Sequence, residues 1–325
     1  MDDPRLHPAY GDISTFLHLP WAASAESVAA AAPDVMIAGV PFDVAVTHRP
    51  GARFGPRAIR AASNLTQWSL HHLGLRIEPF NYLTGVDTGD ALCIPGDIVR
   101  SHQAIRDRLQ ALLDAAPGAV PIILGGDHSI TYPSAATIAD FHNRRIGMVH
   151  FDAHADTADA SWGVSLSHGT PMRRLIEGGH LRGHNFVQVG LRGYWPPPAV
   201  IEWMEQQGMR SHFMDEIERR GLDVVLSEAI EQALDGVDAC YLSVDIDVLD
   251  PAFAPGTGTP EPGGLSAREL LGAVQRIALQ VPLVALDVVE VSPPYDSAGI
   301  TAEVAHRVCL EVISALAVRK RDSRG

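Results

Sequence analysis

Cysteine is scarce, and its spacing is uninformative: Cys93, Cys240 and Cys309 are odd in number, far apart and never spaced as CxxC. Nothing in that pattern suggests a disulfide framework. Cys240 and Cys309 fall in apolar runs, DACYLSV and RVCLEV, the usual setting of a buried, inert thiol. Positive charge is also in deficit, with 25 Lys and Arg against 39 Asp and Glu and a formal charge of −14. Phosphate binding needs a basic face, so this balance argues against a nucleic-acid partner. It suits a cationic ligand, although a solvated acidic surface explains it as well. No apolar run approaches membrane-spanning length, and no membrane partner is expected. The acidic, proline-broken start MDDPRLHPAYGD is unlike a secretion signal, so the expected location is cytoplasmic.

What the chain does have is a series of apolar runs that end in polar or glycine-rich sequence. DVMIAGVPFD, PIILGGDHS, IGMVHFDAH, NFVQVGLRG, CYLSVDID and LVALDVVEVSP read as buried strands that open into functional loops. Helical patterns lie between them: 98–115, 132–142, 224–234, 266–279 with Ser266 as its N-cap, and a final amphipathic stretch over 302–318. Residues 1–33 read as an N-terminal arm with a short helix, and 34–325 as a single domain. Alternating strands and helices predict a mostly parallel α/β sheet covered on both faces, with ligands beyond the carboxyl ends of the strands.

Two short runs at such ends carry the chemistry. Asp152, His154 and Asp156 alternate in HFDAHAD, and Asp245 and Asp247 alternate in SVDID, so in extended strands each set points one way. His128 follows a third run in GGDHS. Four aspartates and two histidines suit two divalent cations side by side and a hydrolytic site. Carboxylate oxygen with imidazole nitrogen favours Mn²⁺ and also admits Fe, Co, Ni or Zn. Without cations these groups would repel one another and shift their own pKa values severely.

GGDHS, HFDAHADT, SHGTP, SVDIDVLDPAFAPGTGTPEPGG and DVVEVSPPYD, with GVPFD and THRPGARFGPRAIR upstream, resemble the arginase/agmatinase family of ureohydrolases. The likeness spans about residues 35–318. It implies a three-layer α/β/α sandwich around a parallel eight-stranded sheet and a cluster of two Mn²⁺ ions. Carried over by position, it implies His128 and Asp156 on one metal, His154 and Asp247 on the other, and Asp152 and Asp245 as bridges. Two cations sharing a water would lower its pKa, which attack on a resonance-stabilised guanidinium requires. His168, in SHGTP, is the candidate for passing a proton to the departing amine. Glu290, in DVVEVSPP, resembles the family's guanidinium-binding carboxylate. Family members form trimers or hexamers, so a homo-oligomer is expected.

The substrate is less sharply marked. Arginases carry an asparagine two positions beyond DxHxD, where this chain has Ala158, so arginine is disfavoured. RPGARFGPRAIR and GTGTPEPGG look most like agmatinases, implying cleavage of agmatine to putrescine and urea. Hydrolases of guanidinobutyrate, guanidinopropionate or proclavaminate share nearly all these motifs. A carboxylate tail would want a donor such as Arg49 or Arg192, an agmatine tail an acceptor. Trp162, in ADASWGVSLS, could wall that pocket or simply pack. Rival readings are a formiminoglutamase, a single-zinc deacetylase on the same architecture, and a non-catalytic subunit that retains the metals. The run 256–264 reads as a rigid loop at the entrance, and 49–56 as a brace for either the site or a subunit contact.

Overall fold

The computed structural model describes residues 11, 13–66 and 69–324. Residues 1–10 and 12 of the expected N-terminal arm therefore lie outside the described residues. Eight parallel strands form one sheet: β1 (Val35–Gly39), β2 (Gly85–Asp90), β3 (Val120–Leu124), β4 (Ile146–Phe151), β5 (Phe186–Leu191), β6 (Arg210–Phe213), β7 (Ala239–Asp245) and β8 (Leu283–Val289). Their order is β2-β1-β3-β8-β7-β4-β5-β6. The chain lays down β3, moves away to build β4 to β6, and returns to fill the gap with β7 and β8. β3, β8, β7 and β4 are thus adjacent at the centre, and their carboxyl ends open on one crevice.

The six apolar runs expected as strands are strands. Two further strands were not legible. β2 reads GVDTGD and β6 reads RSHF, and neither carries an apolar run. β6 lies at the sheet edge, where burial is partial.

Alternate side chains of a strand pack on opposite faces, as in β1, where Val35 and Ile37 join one core and Met36 and Ala38 another. The first face is covered by α2 (Gly55–Ser63), α8 (Leu222–Ala233), α9 (Ala267–Gln280) and α10 (Ile300–Asp322). The second is covered by α1 (Ala25–Ala31), α3 (Ile98–Ala115), α4 (Thr131–Phe141) and α5 (Pro171–Glu177). Both faces of the sheet are thus layered with helices, as the α/β/α reading requires. α6 (Pro198–Gln206) and α7 (Met214–Arg220) complete the helices. The helix expected over 266–279 is α9, and Ser266 caps it by exchanging hydrogen bonds with Glu269, a capping box. Among the described residues no helix is long and apolar enough to cross a membrane.

β2 places one apolar side chain, Val86, in the core and is otherwise tied in by charge. Asp87, fully buried on β2, takes Nε and Nη2 of Arg60 at 2.8 and 3.0 Å and also the amide of Phe16 at 2.9 Å. Arg60 reaches Asp90 with its third nitrogen, at 2.7 Å. Removing one partner of such a pair strands the other in a low-dielectric interior. Arg60→Met is expected to cost about 3–5 kcal/mol, read as a lower urea midpoint at unchanged slope. A loss below about 1 kcal/mol would show that the pair does not hold β2.

Candidate active site

The close approach of the four central strands depends on glycine. A Cβ on Gly126 would lie 1.8 Å from the carbonyl oxygen of Phe42, and one on Gly125 would lie 2.5 Å from the Val289 side chain. GGDHS therefore begins with two residues that let β3, β8 and the loop after β1 converge. Gly55 is packed the same way, against the carbonyls of Val291 and Gly125, so the segment 49–56 braces the site.

Beyond that convergence the six expected ligand residues meet in one crevice. Nδ1 of His128 lies 3.1 Å from Asp152 Oδ2, 3.0 Å from Asp156 Oδ2 and 3.1 Å from Asp245 Oδ2. Nδ1 of His154 lies 3.5 Å from Asp152 Oδ1 and 3.1 Å from Asp247 Oδ2. Asp152 thus turns one oxygen to each histidine, as a bridging carboxylate would. Asp245 turns Oδ2 to His128, while its Oδ1 accepts the amide of Asp247 at 2.9 Å.

Strand alternation is not what brings these groups together. β4 ends at Phe151, so Asp152, His154 and Asp156 belong to the loop beyond it, where Asp156 has φ +52°. Asp245 is the last residue of β7, and Asp247 sits in a 3₁₀ turn. Backbone amides fix the loops: His154 N–H donates to Asp152 Oδ1 at 2.6 Å and Ala153 N–H to Asp247 Oδ1 at 3.2 Å.

Electrostatically the cluster is in conflict. Burial, then Asp247 and Asp152, pushes the Asp245 carboxyl well above the usual range. Burial opposes charge on His128 and His154, yet the surrounding aspartates raise both imidazoles well above theirs. The same histidines, with His150, hold Asp152 well below the usual range against the effect of its burial. Protons are thus drawn onto the imidazoles, but hydrogen bonding does not absorb them. Nδ1 of His128 and Oδ2 of Asp152 are buried without a hydrogen-bond partner. One nitrogen facing three carboxylate oxygens near 3 Å is an arrangement that a single cation would fit. The donor set fits two divalent cations, one among His128, Asp152, Asp156 and Asp245, the other among His154, Asp152 and Asp247.

Several supporting residues escaped the sequence reading. Nε2 of His128 contacts Ser243 Oγ at 3.0 Å, and Ser243 donates to Asp287 Oδ1 at 2.7 Å. Asp287 also receives Tyr241 and Thr131, so the serine proton is committed and the His128 proton must sit on Nε2. His150, the first residue of HFDAHAD, places Nε2 2.9 Å from Asp152 Oδ2 while Gln188 donates to its Nδ1 at 3.2 Å.

His168 and Glu290 join the cluster from the other side. His168 Nδ1 meets Glu290 Oε1 at 3.0 Å, and the same oxygen accepts the amide of His128 at 2.9 Å. Glu290 Oε2 is buried with no partner, and the residue is held at φ +62°, a strained conformation. Burial alone would lower the His168 pKa, but the hydrogen bond and charge of Glu290 carry it up to about 9. Thr47 holds Nε2 of His168 with its amide at 3.0 Å and its hydroxyl at 2.7 Å. The loop that carries Thr47 is in turn fixed by Asp127, which accepts the Ala45 amide at 3.0 Å. The D of GGDHS was the available signal for that anchor.

The cluster opens into a cavity of ≈ 520 Å³ whose wall includes His154, Asp156, Asp245, His168, Trp162 and Trp195. Glu290 stands behind His168 and not on that wall. Thr259, from the expected entrance loop, lines the cavity and donates to Asp247 Oδ2 at 3.2 Å. Arg192 is spent on backbone carbonyls, among them those of Asp247, Glu261 and Pro262. Arg49 lies over the Tyr295 ring, 5.2 Å from its centroid. Of the histidines expected in ordinary settings, His72, His180 and His184 pair with Glu311, Asp140 and Asp235. A third metal-like grouping, His212 with Glu216 and Glu228, is an ion-pair network, because Arg210 and Arg220 neutralise both carboxylates.

The ligand-type residues thus lie at or just beyond the carboxyl ends of three central strands, β3, β4 and β7. The sequence model of the Arginase family matches residues 33–314. Proclavaminate amidinohydrolase of Streptomyces clavuligerus is 38% identical over 96% of this chain and 95% of its own length. Its solved structure superposes with a TM-score of 0.87, over 96% of this chain and 99% of that one. Guanidinopropionase of Pseudomonas aeruginosa is 40% identical over 95% and 93% of the two chains, and mitochondrial agmatinase of Gallus gallus 39% over 94% and 86%. The chain belongs to the arginase family.

Asp152→Ala removes the one carboxylate shared by both histidine groups. It is expected to bind fewer than one divalent ion per chain after dialysis against Mn²⁺, where the unaltered protein is expected to hold two. Two tightly held ions in the variant, measured by atomic emission, would contradict the ligand assignment. Each ion must also displace the protons drawn onto His128 and His154. Calorimetric titration of metal-free protein in buffers of different ionisation enthalpy is therefore expected to register about one to two protons released, with affinity falling as pH is lowered.

Proposed function

We propose that this protein hydrolyses agmatine to putrescine and urea at a pair of divalent cations, manganese being the ion that suits the donor set. The enzyme class goes with the family: it is a hydrolase of carbon–nitrogen bonds in linear amidines. One observation carries the finer reading. The buried carboxylate–imidazole cluster opens into a cavity whose described lining includes no Lys or Arg. Relatives named for agmatine, guanidinopropionate and proclavaminate match at similar identity, so identity does not choose the tail. A carboxylate tail needs a donor, and both arginines considered for that role are engaged elsewhere. An amine tail needs none.

Bound cations supply Lewis acidity that makes water nucleophilic near neutral pH. The chain's own residues do the rest. Glu290 stands off the cavity wall, so in this arrangement it serves by holding His168 Nδ1 with Oε1 while its Oε2 stays a buried acceptor without a hydrogen-bond partner. His168 lines the cavity with Nδ1 on Glu290 and Nε2 on Thr47, so it would pass a proton to the leaving amine only by giving up its Thr47 contact at Nε2.

The test is urea release from agmatine, 4-guanidinobutanoate, 3-guanidinopropanoate, guanidine and arginine, with Mn²⁺ or Ni²⁺ supplied. Agmatine is expected to give the highest kcat/KM. Preferential cleavage of an acid would overturn the substrate and leave the reaction class standing. His168→Ala is expected to load metal normally and lose about 10²–10⁴ in kcat, the usual worth of general acid–base help. Unchanged turnover would remove it from the mechanism.

A further inference from the structure

We infer that Trp162 and Trp195 form an aromatic slot for the positively charged tail of the substrate, an alkylammonium, and so select amine-tailed over acid-tailed guanidino compounds. The inference rests on the guanidino-hydrolase reading above and adds the residues that choose among its substrates.

Trp162 is held where its own chemistry disfavours it. Ser161 and Val164 exchange both backbone hydrogen bonds at 2.9 Å, closing a two-residue turn over Trp162 and Gly163. Both central residues have positive φ, +47° and +81°, the type I′ arrangement. Asparagine followed by glycine is the favoured pair there, and a bulky aromatic residue is an outlier. The indole is also 84% exposed, so burial does not compensate the turn. Local strain with no packing return marks a position kept for something outside the fold.

Trp195 reaches the same cavity from another direction, in the connection between β5 and α6, and is 65% exposed. The Trp162 turn is fixed to the loop of His168, with Ser161 Oγ 2.7 Å from Ser167 Oγ and the Ala158 amide on the carbonyl of Gly169. One rigid segment therefore carries both the proton-handling histidine and the outer indole. A guanidino group at the cluster would direct its tail along that segment toward the mouth. Indole faces attract cations and repel anions, and the described wall offers a carboxylate no Lys or Arg.

The decisive variant is Trp162→Asn, because it installs the residue the turn prefers. It is expected to keep or raise Tm, keep its metal content, and lower kcat/KM for agmatine about tenfold. Cleavage of butylguanidine, the same skeleton without the amine, should change less than threefold. Trp195→Ala should act alike, and Trp195→Phe should retain most of the activity. Tryptophan fluorescence supplies a readout independent of turnover. Agmatine should quench the unaltered protein at lower concentration than butylguanidine or 4-guanidinobutanoate, and that preference should vanish in Trp162→Asn. Equal losses for agmatine and butylguanidine, or no preference in quenching, would overturn the slot while leaving a urea-releasing enzyme intact. Absence of urea from every guanidino compound would instead defeat the functional reading. A change of mass on size exclusion with unaltered selectivity would make the indoles a subunit contact and also overturn the slot.

Discussion

Four aspartates confined to one buried crevice repel one another, and much of the structure near the sheet's carboxyl edge exists to tolerate that repulsion. Two unit charges 4 Å apart at an effective dielectric of 20 interact by about 4 kcal/mol, a large share of the stability of an ordinary domain. Peptide N–H groups of Ala153, His154 and Asp247 offset part of it, and three imidazoles offset more. Gly125 and Gly126 let β3 approach β8 and the loop after β1, which places His128 against the carboxylates. What remains without a hydrogen-bond partner includes Asp152 Oδ2 and the facing Nδ1 of His128, which a divalent cation would satisfy together.

The central fold was legible because buried parallel strands are written as uninterrupted apolar runs, and their order along the chain alternates with amphipathic stretches. β2 was hidden because Val86 is its one core side chain and its other anchor is an ion pair: Asp87 has meaning only once Arg60 is beside it, 27 residues away in sequence. The six ligand-type residues were legible as pairs and triplets of fixed spacing, but the reason offered for their convergence was wrong in part. Loops beyond Phe151 and Asp245 turn them inward, with Asp156 in a left-handed conformation that no alternation rule anticipates. His150, Thr47, Asp127, Ser243 and Asp287 were missed. Thr47, Asp127, Ser243 and Asp287 act through partners distant in sequence, whereas His150 shares the alternating spacing of HFDAHAD and was passed over.

Charge on the cavity wall sharpens what composition could only suggest. A net charge of −14 is compatible with many cationic ligands and with none. Arg192 looked available in the sequence, yet its nitrogens tie the turn after β7 to the loop of Glu261, a structural use that removes it from ligand recognition. The same residue type thus counts for opposite conclusions depending on which carbonyls it meets.

The Asp287–Ser243–His128 chain has a further consequence. Because the far nitrogen of the imidazole is already committed, the ring is oriented before any ion arrives, and the near nitrogen faces the crevice throughout. Capture then demands no rotation of that ligand, only loss of its proton and desolvation of the incoming ion. Vacating the crevice would leave a preformed mould instead of a collapsed one, so exchange between different divalent ions should follow their hydration chemistry more than any reshaping of the protein.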